Sequence, residues 1–133
     1  MVLVLSGTTQ HWNSLDGGFD CFYTALVYDI FVDEEMNELY CAGSMPHDSD
    51  CTLTRSPAKW NGENWDFLDI TYEEHSLVFY SICKYNEEIY ACNLINGHSG
   101  LFRYDDGDWT AITDTSRTFL FWELKVMNGK LYA

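Results

Sequence analysis

Six polar residues fall at spacings that would bring them to one end of a folded unit. His47 in GSMPHDSDC lies seven residues after Tyr40 and His98 in NLINGHSG lies eight after Tyr90; Asp48 and Asn96 are close beside them, and His75 and Arg117 come from the intervening segments. Imidazole, carboxylate, amide and guanidinium groups supply the donors and acceptors that hold a small polar or anionic ligand. The same residue types are also ordinary solvated loop side chains. Cys41, His47, Asp48, Asp50 and Cys51 are ligand types that suit zinc, but their spacing matches no finger, and Cys41 follows Tyr40 in an apolar run. The run Asp105, Asp106, Gly107, Asp108 is too short for an EF-hand calcium loop. The chain contains no G-x-S-x-G, H-E-x-x-H, G-x-x-x-x-G-K or G-x-G-x-x-G pattern. With 21 Asp and Glu present, neighbouring carboxylates carry little information about a poised acid and base. The expectation is a non-enzymatic chain with no catalytic residue, metal or cofactor.

The elements that position these residues must come from a chain of 133 residues, which is one domain's length. Hydrophobic residues make up 47% and prolines number two, so there is enough apolar surface to offset the ordering entropy, and disorder is excluded. Seven Lys and Arg against 21 Asp and Glu give a formal charge of −14, which removes the phosphate-neutralising footprint of a nucleic-acid binder. Five cysteines are an odd number with no C-x-x-C pair, and three lie in apolar runs, which reads as buried free thiols in a reducing compartment. MVLVLSG lacks a basic leader region, no run approaches the ~18 apolar residues of a membrane span, and no N-x-[ST] sequon occurs. A cytoplasmic protein with no membrane contact is expected.

Internal repetition organises the chain. LVYDIFVDEEMNELYCAG, LVFYSICKYNEEIYACN and FLFWELKVMNGKLYA share an apolar stretch, a short polar turn and an apolar residue followed by Tyr40, Tyr90 or Tyr132. Each reads as a β-hairpin. Between them a second pattern recurs, a Trp with an apolar residue three later: Trp12 with Leu15, Trp65 with Leu68, Trp109 with Ile112. Each unit is thus two hairpins, strands a to d. The tyrosines are 50 and 42 residues apart, and 41 around the termini, so three units fill the chain. Repeats of ~40 to 50 residues with four strands each are those of propeller blades, and no helix-period stretch competes with them. A single β-sandwich is the plainer alternative.

LKVMNGKLYA, YSICKYNEEIYACN and GLFRYDDGDWTAI resemble the blade repeats of kelch-like β-propellers, with Ala42-Gly43 and Cys92-Asn93 where a kelch repeat has a Gly-Gly doublet. DDGDW is also similar to the Asp box of sialidase-type propellers, without its leading Ser and one residue short. The resemblance implies an all-β propeller-like fold and transfers no catalytic residue. Its blades would be approximately 18–70, 71–115, and 116–133 plus 1–17, the last split between the two ends of the chain. Three blades cannot surround an axis. Either a second copy completes six blades, a homodimer with the split blade as its clasp, or the chain is part of a longer propeller.

In such a blade the a–b and c–d turns share one face of the disc. They hold ten of the 21 acids, against Lys130 alone among the basic residues. Glu34, Glu35, Glu87, Glu88, Asp105 and Asp106 are the candidates for docking a basic protein partner, through a steering field that solvated hairpin tips also produce without any partner. Residues 1–54 hold nine Asp or Glu and no Lys or Arg, so mimicry of nucleic acid toward a basic partner is a further alternative. The other, loop-rich face would hold His47, Asp48, Asn96, His98, His75 and Arg117 around a small polar ligand. Trp12, Trp65 and Trp109, at one repeat position, are expected to pack between blades. Trp60 and Trp122 fall off that register and are candidates for stacking a sugar, as in small lectins, or for the core.

Overall fold

Three of the hairpins expected from Asn, Gly and acidic breaks turn through pairs of residues with positive φ, which a two-residue turn joining right-twisted strands requires. They are Asn86-Glu87 (50° and 66°), Asp106-Gly107 (50° and 92°) and Asn128-Gly129 (50° and 67°). The computed structural model describes the backbone of residues 2–6, 9–13, 26–46, 54–68, 71–72, 75–76, 78–95, 98–114 and 121–133, and side chains within 26–45, 56–68, 78–93, 100–114 and 121–133. All regular structure in these residues is antiparallel β. No helix among them is long and apolar enough to cross a membrane.

Strands β1 (Val2–Ser6) and β2 (Thr9–Asn13) form a hairpin. The next sheet runs β3 (Leu26–Asp33), β4 (Glu38–Pro46), β6 (Ala58–Trp60) and β7 (Trp65–Phe67), with β5 (Thr54–Arg55) against the end of β4. A two-residue pair, β8 (Thr71–Tyr72) and β9 (His75–Ser76), leads to the second sheet. That sheet is β10 (Phe79–Tyr85), β11 (Glu88–Ile95), β12 (His98–Asp105) and β13 (Asp108–Ala111), in chain order. A last hairpin joins β14 (Lys125–Met127) to β15 (Lys130–Tyr132).

Leaving aside the short β5, each of the two larger sheets runs through four successive strands, the a-to-d pattern read from the sequence. The third unit differs. Among the described residues β14–β15 and β1–β2 are separate two-stranded sheets, so its halves are not paired within the chain. Strands β5, β8 and β9 also lie in segments read from sequence as connections, because two-residue pairings carry no hydrophobic periodicity to betray them.

Alternation along β4 and β11 sends successive residues to opposite faces. Tyr40 and Ala42 join Leu68, Phe79, Ile82, Ile89, Ala91, Phe102 and Trp109 in one core between the two sheets, whereas Cys41 packs with Met45 and Ala58 on the opposite face. Phe79 lies 5.3 Å from the Trp109 ring and 5.7 Å from Phe102. Trp109 Nε1 donates to Leu68 O across the sheet boundary at 2.8 Å, which satisfies its one polar atom while the ring is buried. Trp109 thus packs between sheets as its repeat position foretold. Trp65, its equivalent, is half-buried against Cys41, Met45 and Ala58; the Trp12 side chain lies outside the described residues. Strand β10 packs on β3 and β4 on one side and on β14 on the other, so the first strands of three successive units stand side by side.

Candidate functional site

The hairpin registers align the three units residue by residue, because Phe31, Cys83 and Lys125 each pair with the shared tyrosine, Tyr40, Tyr90 or Tyr132. One step back along the chain, Ile30, Ile82 and Leu124 are equivalent, then Asp29, Ser81 and Glu123, then Tyr28, Tyr80 and Trp122. In β3 the register jumps between Val27 and Asp29, and in β10 between Phe79 and Ser81, so Tyr28 and Tyr80 are the extra residues of matching β-bulges. A bulge re-aims its side chain and sharpens the local twist.

The consequence is a row of rings. Tyr28 stacks on Tyr80 with centroids 4.9 Å apart and planes 13° from parallel, and Tyr80 meets Trp122 edge-on at 5.3 Å. Both outer members remain open to solvent, Tyr28 at 44% and Trp122 at 59%. Large aromatic faces left exposed in one line are a platform for a flat apolar surface.

Beneath the rings the next position ties the three strands together. Asp29 Oδ2 accepts from Ser81 Oγ at 2.5 Å and from Ile82 N at 3.0 Å. Ser81 Oγ in turn accepts from Leu124 N at 3.0 Å. The side chain of each unit therefore accepts the equivalent backbone N–H of the unit after it. Ser81 and Leu124 are buried, where an unpaired N–H would be costly. At the third copy of this position Glu123 Oε1 pairs with Lys125 at 2.9 Å. Trp122, Glu123, Lys125, Met127, Tyr132 and Ala133 line an open concavity on the outer side of this last hairpin.

The ladder lies at the ends of β3 and β10 remote from their hairpin turns, the ends toward which β4 and β11 run on to Pro46 and Ile95. The sequence reading assigned its ligand residues to the segments that follow these ends. Of those, His47, Asp48, Asn96 and Arg117 lie outside the described residues. His98 opens β12 opposite Ile95 and His75 lies in β9 opposite Tyr72, so both have strand backbones rather than loop ones; their side chains are not among those described.

At the opposite end the acids have more company than a count of turn residues allows. Lys84, from strand β10, places Nζ 2.8 Å from Asp33, 3.0 Å from Glu87 and 3.9 Å from Glu35. Its ammonium is held above the ordinary lysine range by the hydrogen bond to Asp33, and the same bond holds the Asp33 carboxyl below the ordinary carboxylate value. Asp33 is buried and its Oδ1 accepts Glu35 N and Met36 N, closing the turn. Tyr90 OH donates to Glu88 Oε2 at 2.8 Å while Arg103 reaches Glu88 at 3.3 Å and Asp105 at 3.9 Å. Tyr40, Glu38 and Lys59 repeat that arrangement in the first sheet. Lys130 is therefore not the sole cation at this end: Lys59, Lys84 and Arg103 reach it on long side chains from within strands. Glu88 belongs to a repeated internal cluster, and Glu34 and Asp106 stand exposed in turns.

Cys41, Cys83 and Cys92 are buried free thiols. Burial pushes them up to about 12, 11 and 12, respectively. Among the described residues no group of three His, Cys, Asp or Glu is placed to hold a metal ion. Trp60 lies opposite Trp65 in the β6–β7 pair, with ring centroids 5.5 Å apart.

Sequence reading missed Tyr28, Tyr80 and the place of Trp122 among them. A signal existed: Tyr80 and Trp122 precede their shared tyrosines by ten residues and Tyr28 by twelve, the difference being the turn of four residues rather than two. No protein-family model, no curated protein and no solved structure matches the chain.

Proposed function

We propose that this chain is a non-enzymatic binding module of the kelch-like propeller type, whose two four-stranded sheets are blades and whose ring of six is completed by a second copy. Its ligand sits on the loop-rich face, over the ladder of Tyr28, Tyr80 and Trp122. The observation that carries this reading is a contiguous row of three equivalent aromatic residues from three successive units, whose outer members, Tyr28 and Trp122, are exposed. A buried core would have covered them. Aromatic faces take the apolar face of a sugar ring, and the polar residues assigned to the same end, His47, Asp48, Asn96, His98, His75 and Arg117, would bond its hydroxyl groups. The favoured ligand is thus a saccharide. The acidic end supports docking of a basic protein less well, since Lys59, Lys84 and Arg103 already occupy several of its carboxylates.

Titration with neutral, amino and acidic saccharides, followed by tryptophan fluorescence, tests this. A saturable change that is lost in Tyr80→Ala and Trp122→Ala is expected. No saturable response to any member of the panel overturns the saccharide reading.

A further inference from the structure

The links between successive units have a direction, and the two ends of the array are complementary. Asp29, Phe31 and Asp33 face the following unit, whereas Ile82 and Lys84, the equivalents of 30 and 32, face the preceding one. Ile82 and Leu124, each covered by the unit before it, are 2% and 4% exposed, whereas their equivalent Ile30 is 46% exposed. Val32 beside it is 55% exposed. On the outgoing side of the last hairpin, Met127 is 51% exposed and belongs to the open concavity with Glu123 and Tyr132. Glu123 and Tyr132 stand at the positions of Asp29 and Tyr40, which in the first unit contribute to the contact with Ile82.

Resting on the six-blade reading above, we propose that a second copy of this chain docks head to tail, with β3 of one copy against β14 of the other. Glu123 then takes the role that Asp29 and Ser81 have inside the chain and accepts the N–H of Ile30 in the second copy. With Glu123 Oε1 on Lys125, Oε2 is the acceptor; within one chain the Ile30 N–H turns to its own Asp29 Oδ1 at 2.9 Å. The side chain of Ile30 fills the concavity as Ile82 and Leu124 fill theirs. Tyr28 of the second copy extends the ladder beyond Trp122. The chemistry of the joint also differs from that of the internal contact in the way a subunit interface requires. Where Lys84 meets Asp33 within the chain, the equivalent pair across the joint is Val32 and Met127, an apolar contact left bare in the single chain. The joint is heterologous, and two copies close it into a ring because each supplies one head and one tail.

A charge exchange tests the direction. Molar mass by light scattering is expected to be twice the 15.4 kDa of one chain for the wild type. Val32→Glu and Met127→Lys should each reduce it to the monomer, and the dimer should return both on mixing the two variants and on combining them in one chain, an outcome that a misfolded variant cannot give. Glu123→Ala should weaken association about tenfold and Glu123→Gln, which keeps an acceptor, far less. A dimer broken by Val32→Glu but indifferent to Met127→Lys means β3 packs on β3, and a dimer indifferent to both places the contact elsewhere. Either overturns the head-to-tail joint and leaves the second-copy reading standing. A monomeric wild type overturns both.

Discussion

Asp29 and Ser81, 52 residues apart in the chain, are joined by a 2.5 Å hydrogen bond that links the first strands of two successive sheets. Ser81 Oγ donates to Asp29 and accepts from Leu124 N, so one hydroxyl ties β3 and β10 to the residue that precedes β14. Ser81→Ala leaves the buried Leu124 N–H unpaired and removes a donor from a carboxylate. The expected loss is about 3 kcal/mol of unfolding free energy, read from the denaturant midpoint, because an unsatisfied buried group costs more than an average hydrogen bond contributes. Asp29→Ala combined with Ser81→Ala should cost less than the sum of the two, by about 1 kcal/mol or more, since both remove the same contact.

Asp33 makes stability depend on acid pH. Its carboxyl is depressed below the ordinary value of 3.8, first by the hydrogen bond from Lys84, and burial opposes the shift. A carboxyl whose value is lower in the folded state adds stability that is fully present above its unfolded value and is lost as pH falls through the folded one. The urea midpoint of the wild type should therefore fall relative to that of Asp33→Asn as pH drops below about 4, with the difference constant above about pH 5. A difference unchanged down to pH 2.5 would show that the Lys84 contact contributes nothing.

Glu87 occupies a left-handed backbone position, φ 66°, where the equivalent turns have Gly107 and Gly129. A side chain there costs roughly 1–2 kcal/mol, and the exposed contact with Lys84 returns little of it. Glu87→Gly gives the Asn-Gly pair found at 128–129 and should raise stability by about 0.5–1 kcal/mol after the entropy of the added glycine is counted. Thermal unfolding checks the sign.

Much of the architecture was legible because hairpins are local. The breaks at Asn86, Asp106 and Asn128 set turn type, and the alternation around Tyr40 and Tyr90 sets which residues face which side. The buried thiols were legible too, since Cys41, Cys83 and Cys92 lie within those alternating runs. The charge of one end was read less well. Turn residues can be counted in the sequence, but whether Lys84 from mid-chain reaches Asp33 depends on packing of one sheet against the next.

The long hairpins and their turns are readable in the sequence because they rest on residues within a few positions of one another, and the repeat is readable from the spacing of its tyrosines; the short pairs β4–β5 and β8–β9 are not. Packing of one unit on the next is what lines up Tyr28, Tyr80 and Trp122 and joins Asp29, Ser81 and Leu124 in one hydrogen-bonded chain. The physical reason is that a bulge leaves no mark in hydrophobic alternation beyond one extra residue, and that contacts between sheets join positions some fifty residues apart, whose identities carry no record of their separation in space.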